Sequence, residues 1–73
     1  MPGLDREFLA AVDVAVRSAA ARPLAFPLVD DTIRRVLVTR FPYTVVFDVI
    51  RDELIVLAVF HRRRQPVSWR LRR

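Results

Sequence analysis

The stretch that decides the fold is residues 43–61, which read YTVVFDVIRDELIVLAVFH. β-Branched and aromatic residues dominate both halves, and the charged triplet Arg51-Asp52-Glu53 separates them, which predicts two strands joined by a turn. The first strand, Tyr43 to Ile50, alternates strongly apolar residues with a set that includes a threonine and an aspartate. The second, Leu54 to His61, is apolar at every position up to Phe60. It therefore needs cover on both of its faces.

Upstream of this hairpin the sequence predicts one further strand and one helix. Ile33 to Arg40 is rich in β-branched residues, and the turn Phe41-Pro42 separates it from the hairpin. Before it, apolar residues recur at the three- and four-residue steps of a helix face, up to Pro23, which stops the helix. These residues are Leu4, Phe8, Val12, Ala15, Val16 and Ala19. Residues 24–31 carry a second proline and two acids, which indicates a packed connection without regular structure.

The expected fold class is α+β, with residues 1–73 forming a single domain. One N-terminal helix packs on a three-stranded antiparallel sheet, and a short basic tail follows His61. Because one helix can cover only one face, the second face of the last strand would expose an apolar patch. We expect a partner to dock there; the alternatives are that the sheet curls on itself or that the tail folds back.

Composition narrows the chemistry. The net charge of +5 comes from thirteen arginines and no lysine against eight acids, which favours anionic partners. With no cysteine and one histidine, disulfides, thiolate sites and ordinary zinc clusters are excluded. The single glycine, Gly3, excludes glycine-rich phosphate loops. We expect no metal and no cofactor.

The chain offers no segment suited to a membrane or to export. Its N-terminus has no apolar signal core, and the longest apolar run, Leu54 to Phe60, falls far short of the roughly 20 residues that span a bilayer. The sequence therefore predicts a soluble, cytoplasmic protein with no membrane partner.

Several short motifs in residues 34–69 resemble the RelE/ParE toxin superfamily. In order and at family-like spacing stand Phe41-Pro42-Tyr43, Leu57-Ala58-Val59, His61-Arg62-Arg63 and Pro66-Val67-Ser68-Trp69. The helix that ends before Pro23 is similar to the family's second helix. Since family members usually begin with a strand and another helix, the resemblance implies that both are missing here. A sheet edge would then be unpaired, and more apolar surface exposed.

The resemblance implies a type II toxin–antitoxin system, of the kind that stabilises plasmids. ParE-like members inhibit DNA gyrase without evident catalysis, which is the reading we prefer. RelE-like members cut messenger RNA on the ribosome, and a truncated remnant that still binds antitoxin is the third possibility. The expected partners are therefore a cognate antitoxin and gyrase, or alternatively the ribosome and mRNA, in a homo-oligomer or a toxin–antitoxin hetero-oligomer.

Candidate site residues follow from the two activities. A ribonuclease needs a proton acceptor, a proton donor and a cation, and only His61, Tyr43 and Arg63 or Arg40 supply that set. The alternative to catalysis is that His61 is a hydrogen-bonded structural residue at a strand end and that Tyr43 packs its ring at a turn. The expected partner-binding residues are Arg40, Arg62, Arg63, Arg64, Trp69 and Arg70. The alternative for the arginines is a run of charges that contacts only solvent. The alternative for Trp69 is that its ring anchors the tail to the domain.

Overall fold

The computed structural model describes residues 2–63, with side chains from residue 6 onward. Along the chain lie helix α1 (Pro2–Ala21), a short 3-10 turn (Pro23–Ala25), and strands β1 (Leu28–Asp30), β2 (Ile33–Leu37), β3 (Tyr43–Ile50) and β4 (Glu53–His61). The basic tail expected after His61 falls mostly on residues 64–73, outside the described residues.

Helix α1 packs on the sheet through the face that the sequence predicts. Ala15 and Ala19 are buried, and Ala11, Val12 and Val16 pack beside them. Small alanine side chains let the helix axis approach the strands closely. The helix ends two residues before Pro23, which has no N–H to continue the ladder. No helix within residues 2–63 combines the length and hydrophobicity needed to cross a membrane.

The sheet is antiparallel and contains four strands in the order β1-β2-β3-β4. The α+β prediction is confirmed, but the expectation of three strands is wrong. The missed strand lies in the segment expected to be irregular, where Leu28 pairs with Arg34 and Asp30 pairs with Ile33. Three residues are too few to show a period of two, and the neighbouring proline and acids indicate a loop, so the strand leaves no sequence signal.

The strand boundaries agree for β3 and differ slightly for its neighbours. The ladder of β2 ends at Leu37 rather than Arg40, although the N–H of Val38 still donates to the carbonyl of Tyr43 at 2.9 Å. The β3–β4 turn is one residue shorter than expected, since Ile50 pairs with Glu53. Its two residues, Arg51 and Asp52, both have positive φ, of 54° and 67°. Such values are typical of the tight hairpin turn whose twist matches the flanking strands.

The core lies between α1 and one face of β2 and β3. Val36, Val38, Val45 and Phe47 are buried there with the two alanines of the helix. Phe26 packs its ring edge-on against Phe47, with centroids 6.2 Å apart. The odd-numbered face of β3 is therefore the helix side.

Strand β4 departs from strict alternation because it contains a bulge. Val46 pairs with Ala58 but Phe47 pairs with Val56, so Leu57 is an extra residue. Cross-strand partners share a face. Val56 therefore lies on the helix side with Phe47, whereas Ala58 lies on the second face with Val46. A regular strand would place Leu54, Val56, Ala58 and Phe60 on one face, and this expectation from the sequence is wrong because of the bulge.

The open apolar surface follows β4 rather than the whole second face. At the centre of the second face, Thr44 and Val46 are 4% and 1% exposed. On β4, Val56 is 44% and Val59 40% exposed although both lie on the helix side. The helix side of β4 is thus covered only in part: Leu54 packs against the core, whereas Val56 and Val59 stay half-exposed. The sequence-based expectation assigned the open surface to the opposite side alone.

Candidate partner-binding surface

The two aromatic residues of the candidate site are brought together by the β3–β4 pairing. Tyr43 begins β3, His61 ends β4, and the two are direct cross-strand partners. Their ring centroids lie 5.2 Å apart at an interplanar angle of 72°. From the helix, Phe8 contacts Tyr43 at 4.9 Å and Phe41 at 5.3 Å. Tyr43 therefore belongs to an aromatic cluster that fastens α1 to this end of the hairpin.

One ring nitrogen of His61 accepts a hydrogen bond from the backbone. The N–H of Arg63 donates to Nδ1 of His61 at 3.1 Å. In the neutral imidazole one nitrogen accepts and the other carries the hydrogen, so this bond assigns the hydrogen to Nε2. Nε2 is then a donor, and Nδ1 can take up a proton only by giving up its bond to Arg63. This bond favours a structural role for His61 over that of a proton acceptor.

Three arginines that the sequence singles out lie at the same end of the sheet. The N–H of Arg62 donates to the carbonyl of Pro42 at 2.7 Å, which brings the chain after β4 against the turn that contains Arg40. The side chains of Arg40, Arg62 and Arg63 are all exposed. We call these three residues the basic end. Because their guanidinium groups are solvated, they are available to an anionic partner.

Arg64, Trp69 and Arg70, the remaining predicted partner-binding residues, lie outside the described residues. The basic end therefore represents the part of the predicted binding set for which the structure gives positions.

The exposed apolar residues of β4 form a second surface that the candidate residues did not include. Ile55, Val56, Leu57 and Val59 are between 37% and 44% exposed; we call them the β4 strip. A strand that is apolar at every position is the signal from which this surface could be predicted. The bulge at Leu57 could not be predicted from that signal, because an apolar run has no alternation that could be seen to break.

A shallow open depression of about 300 Å³ lies near the opposite edge of the sheet. It is lined by Phe26, Pro27, Arg35, Val36 and Leu37. Arg35 is the only charged residue of this lining, so the depression does not bring together the polar groups that orient a small ligand.

Within residues 2–63, no group of three or more histidine, aspartate or glutamate side chains is placed to hold a metal ion. Comparison with known proteins found no family model, no curated protein and no solved structure that matches the chain.

Proposed function

We propose that this chain is the ParE-like toxin of a type II toxin–antitoxin system, which acts by binding DNA gyrase and is neutralised by a cognate antitoxin. The proposal is motivated by the four sequence motifs between Phe41 and Trp69, which stand in order and at family-like spacing. It is favoured over catalysis by one observation, the hydrogen bond from the Arg63 N–H to Nδ1 of His61.

That hydrogen bond matters because the two candidate activities make different demands on His61. Cleavage of RNA through its 2′-hydroxyl requires a group that removes the hydroxyl proton. His61 uses Nδ1 to accept from the backbone and packs its ring on Tyr43. Both contacts support a structural role for His61 at the end of β4. A protein that inhibits its target by binding needs no proton acceptor.

The exposed surfaces are also suited to macromolecular partners. The basic end offers guanidinium groups for bidentate contact with carboxylates or phosphates. The β4 strip offers apolar area that a partner can bury. An antitoxin segment that covers this part of the chain is expected to be apolar against the strip and acidic against the arginines, since a buried unpaired charge is costly.

A ribonuclease remains the second candidate function because of the Tyr43–His61 contact. A hydroxyl and an imidazole lie side by side at the end of the sheet that also carries Arg40, Arg62 and Arg63. These are the residue types that proton transfer and phosphorane stabilisation require. The ribonuclease reading needs the Arg63–His61 hydrogen bond to break when substrate binds.

The two candidates are separated by assaying one preparation against both targets. We expect the purified protein to inhibit supercoiling by gyrase and to leave translated mRNA uncut. The matched variant is His61→Asn, whose Oδ1 can still accept the Arg63 N–H but whose side chain cannot transfer protons. We expect this variant to inhibit gyrase as the parent does, within about twofold, because a structural acceptor is preserved.

Translation-dependent mRNA cleavage that His61→Asn abolishes, with supercoiling unaffected, would replace the gyrase proposal with the ribonuclease. Absence of both activities, together with tight binding to the product of a neighbouring acidic reading frame, would identify the chain as a remnant that retains only antitoxin binding.

A further inference from the structure

The outer edge of β4 is a row of backbone hydrogen-bonding groups. Within the described residues, β4 pairs only with β3. The carbonyl of Tyr43 accepts a hydrogen bond from the N–H of Val38. The backbone N–H and C=O groups of Tyr43 and of every second residue after it in β3 therefore point toward β2, and those of the residues between them point toward β4. The β3 residues whose backbone groups point toward β4 pair with Glu53, Ile55, Ala58 and Phe60. The N–H and C=O groups of Leu54, Val56, Val59 and His61 therefore point outward.

We propose that a second copy of this chain occupies that edge, pairing β4 with β4 in antiparallel orientation about a twofold axis between Leu57 and Ala58. In this register Leu54 lies opposite His61 of the second copy, and Val56 lies opposite Val59 of the second copy. Both pairs join residues whose backbone groups point outward, as an antiparallel ladder requires. The result is a continuous eight-stranded sheet, twice the four strands of one copy.

The bulge is what allows the faces to agree in this register. Each proposed pair joins an even-numbered residue with an odd-numbered one. In a regular strand such residues point to opposite faces, so pairing them would set a residue of the helix side opposite a residue of the second face. The extra residue Leu57 changes the parity between the two halves of β4. Val56 and Val59 then meet on the helix side, where they are 44% and 40% exposed. Ile55 and Phe60 meet on the second face.

Charge complementarity identifies a second copy as the occupant. The N-terminal end of β4 is acidic and the chain after its C-terminal end is basic. The proposed register places Glu53 opposite Arg62 of the second copy, the first residue after β4, and the twofold axis repeats this pair. Within one copy Glu53 and Arg62 lie at opposite ends of β4, about 30 Å apart, so they cannot satisfy each other. A shift by two residues toward the N-terminus would place Arg51 opposite Arg62 instead.

The test uses charge reversal and then mixing of the variants. Sedimentation of the full chain over a dilution series is expected to show a monomer–dimer equilibrium. Glu53→Arg and Arg62→Glu, each alone, create like-charge pairs at both ends of the interface and should weaken the dimer by about tenfold. A one-to-one mixture should regain the parental affinity, because each end of the mixed interface again joins one positive and one negative side chain. Glu7→Arg, an exposed change on α1, should leave the dimer unaffected.

Urea unfolding of each variant establishes that it is folded before mixing, so that a lost dimer is not mistaken for a lost fold. A monomer at every concentration would overturn the proposal. So would a dimer that ignores both substitutions, or a mixture that associates no better than its components, because association would then use another surface. The dimer buries the β4 strip and Arg62, which the antitoxin proposal also uses, so a second copy and an antitoxin would compete for this edge. Neither gyrase, ribosome nor antitoxin enters the test of the dimer.

Discussion

Phe8 of α1 lies edge-on against Tyr43 of β3, with ring centroids 4.9 Å apart. The Tyr43 ring also contacts His61, so a single side chain connects the helix, the central strand and the edge strand. Its hydroxyl makes no hydrogen bond to any other residue in the part of the chain that the structure describes. Tyr43 therefore stabilises the fold through its ring. A chemical role of its hydroxyl can be tested separately from the structural role of the ring.

This separation predicts different effects for two substitutions at Tyr43. Tyr43→Phe keeps the ring and should change the free energy of unfolding by less than about 0.5 kcal/mol. Tyr43→Ala removes the contacts with Phe8 and His61 and should cost about 2–3 kcal/mol, measured by urea denaturation. Under the gyrase proposal Tyr43→Phe also retains inhibition. Loss of activity in a Tyr43→Phe protein of parental stability would instead give the hydroxyl a chemical role.

The β3–β4 turn is predicted to be a site where stability can be gained. Arg51 and Asp52 both occupy the left-handed region, with φ of 54° and 67°, where residues with a Cβ are strained. The double variant Arg51→Asn with Asp52→Gly introduces the preferred residues for this turn and should stabilise the protein by about 1 kcal/mol. Thermal unfolding measures the gain. The same pair of residues at Val14 and Ala15 in α1 is the control and should destabilise, because asparagine and glycine disfavour a helix.

Arg34, which is half-buried, is predicted to stabilise the fold, unlike the exposed arginines that are expected to bind a partner. Its Nη1 donates to the carbonyl of Phe26 at 2.7 Å, which fastens the segment before β1 to the sheet. Arg34→Met keeps most of the aliphatic stem and removes the donor, and should cost about 1.5 kcal/mol in chemical denaturation. Arg35→Met, at an exposed neighbouring position, is the matched control. Equal effects at both positions would mean that this hydrogen bond contributes nothing.

The parts of the fold that could be predicted from the sequence are those with a long periodic signal. The face of α1 and the alternation of β3 are both confirmed, because each repeats over several turns or residues. Strand β1 could not be predicted, since its three residues pair only because the chain returns beside β2. The bulge at Leu57 could not be predicted either. A bulge moves the following residues to the other face, but in a uniformly apolar strand both faces carry apolar residues with or without it.

The candidate site was predictable only as a set of residues. The run of β-branched residues and its turns placed Tyr43 and His61 at the ends of two strands, and antiparallel pairing brings those ends together. What the sequence could not show is the Arg63 N–H bound to Nδ1 of His61, which depends on the turn after β4. The target, gyrase or mRNA, stays a prediction.

The arginine run after β4 gives the most direct prediction about binding. Arg63→Ala combined with Arg64→Ala should weaken binding to the target or antitoxin by at least about tenfold, while changing the free energy of unfolding by less than about 0.5 kcal/mol. The fold should tolerate the change because the Arg63 side chain is exposed and its contribution to His61 comes from the backbone N–H, which alanine retains. Binding is measured by titration calorimetry at two salt concentrations, since salt screens contacts between exposed charges.

The matched control removes the same charge from another surface. Arg17→Ala combined with Arg22→Ala takes two exposed arginines from the end of α1 and its exit, and should leave binding within about twofold of the parent. If both double variants weaken binding equally, net charge alone attracts the partner and the basic end is no specific surface. If neither does, the run that follows β4 only solubilises the chain. A selective loss in the Arg63–Arg64 variant, with unchanged stability and a weaker salt dependence, is the result we expect, because guanidinium groups that contact an anionic partner contribute through their position as well as their charge.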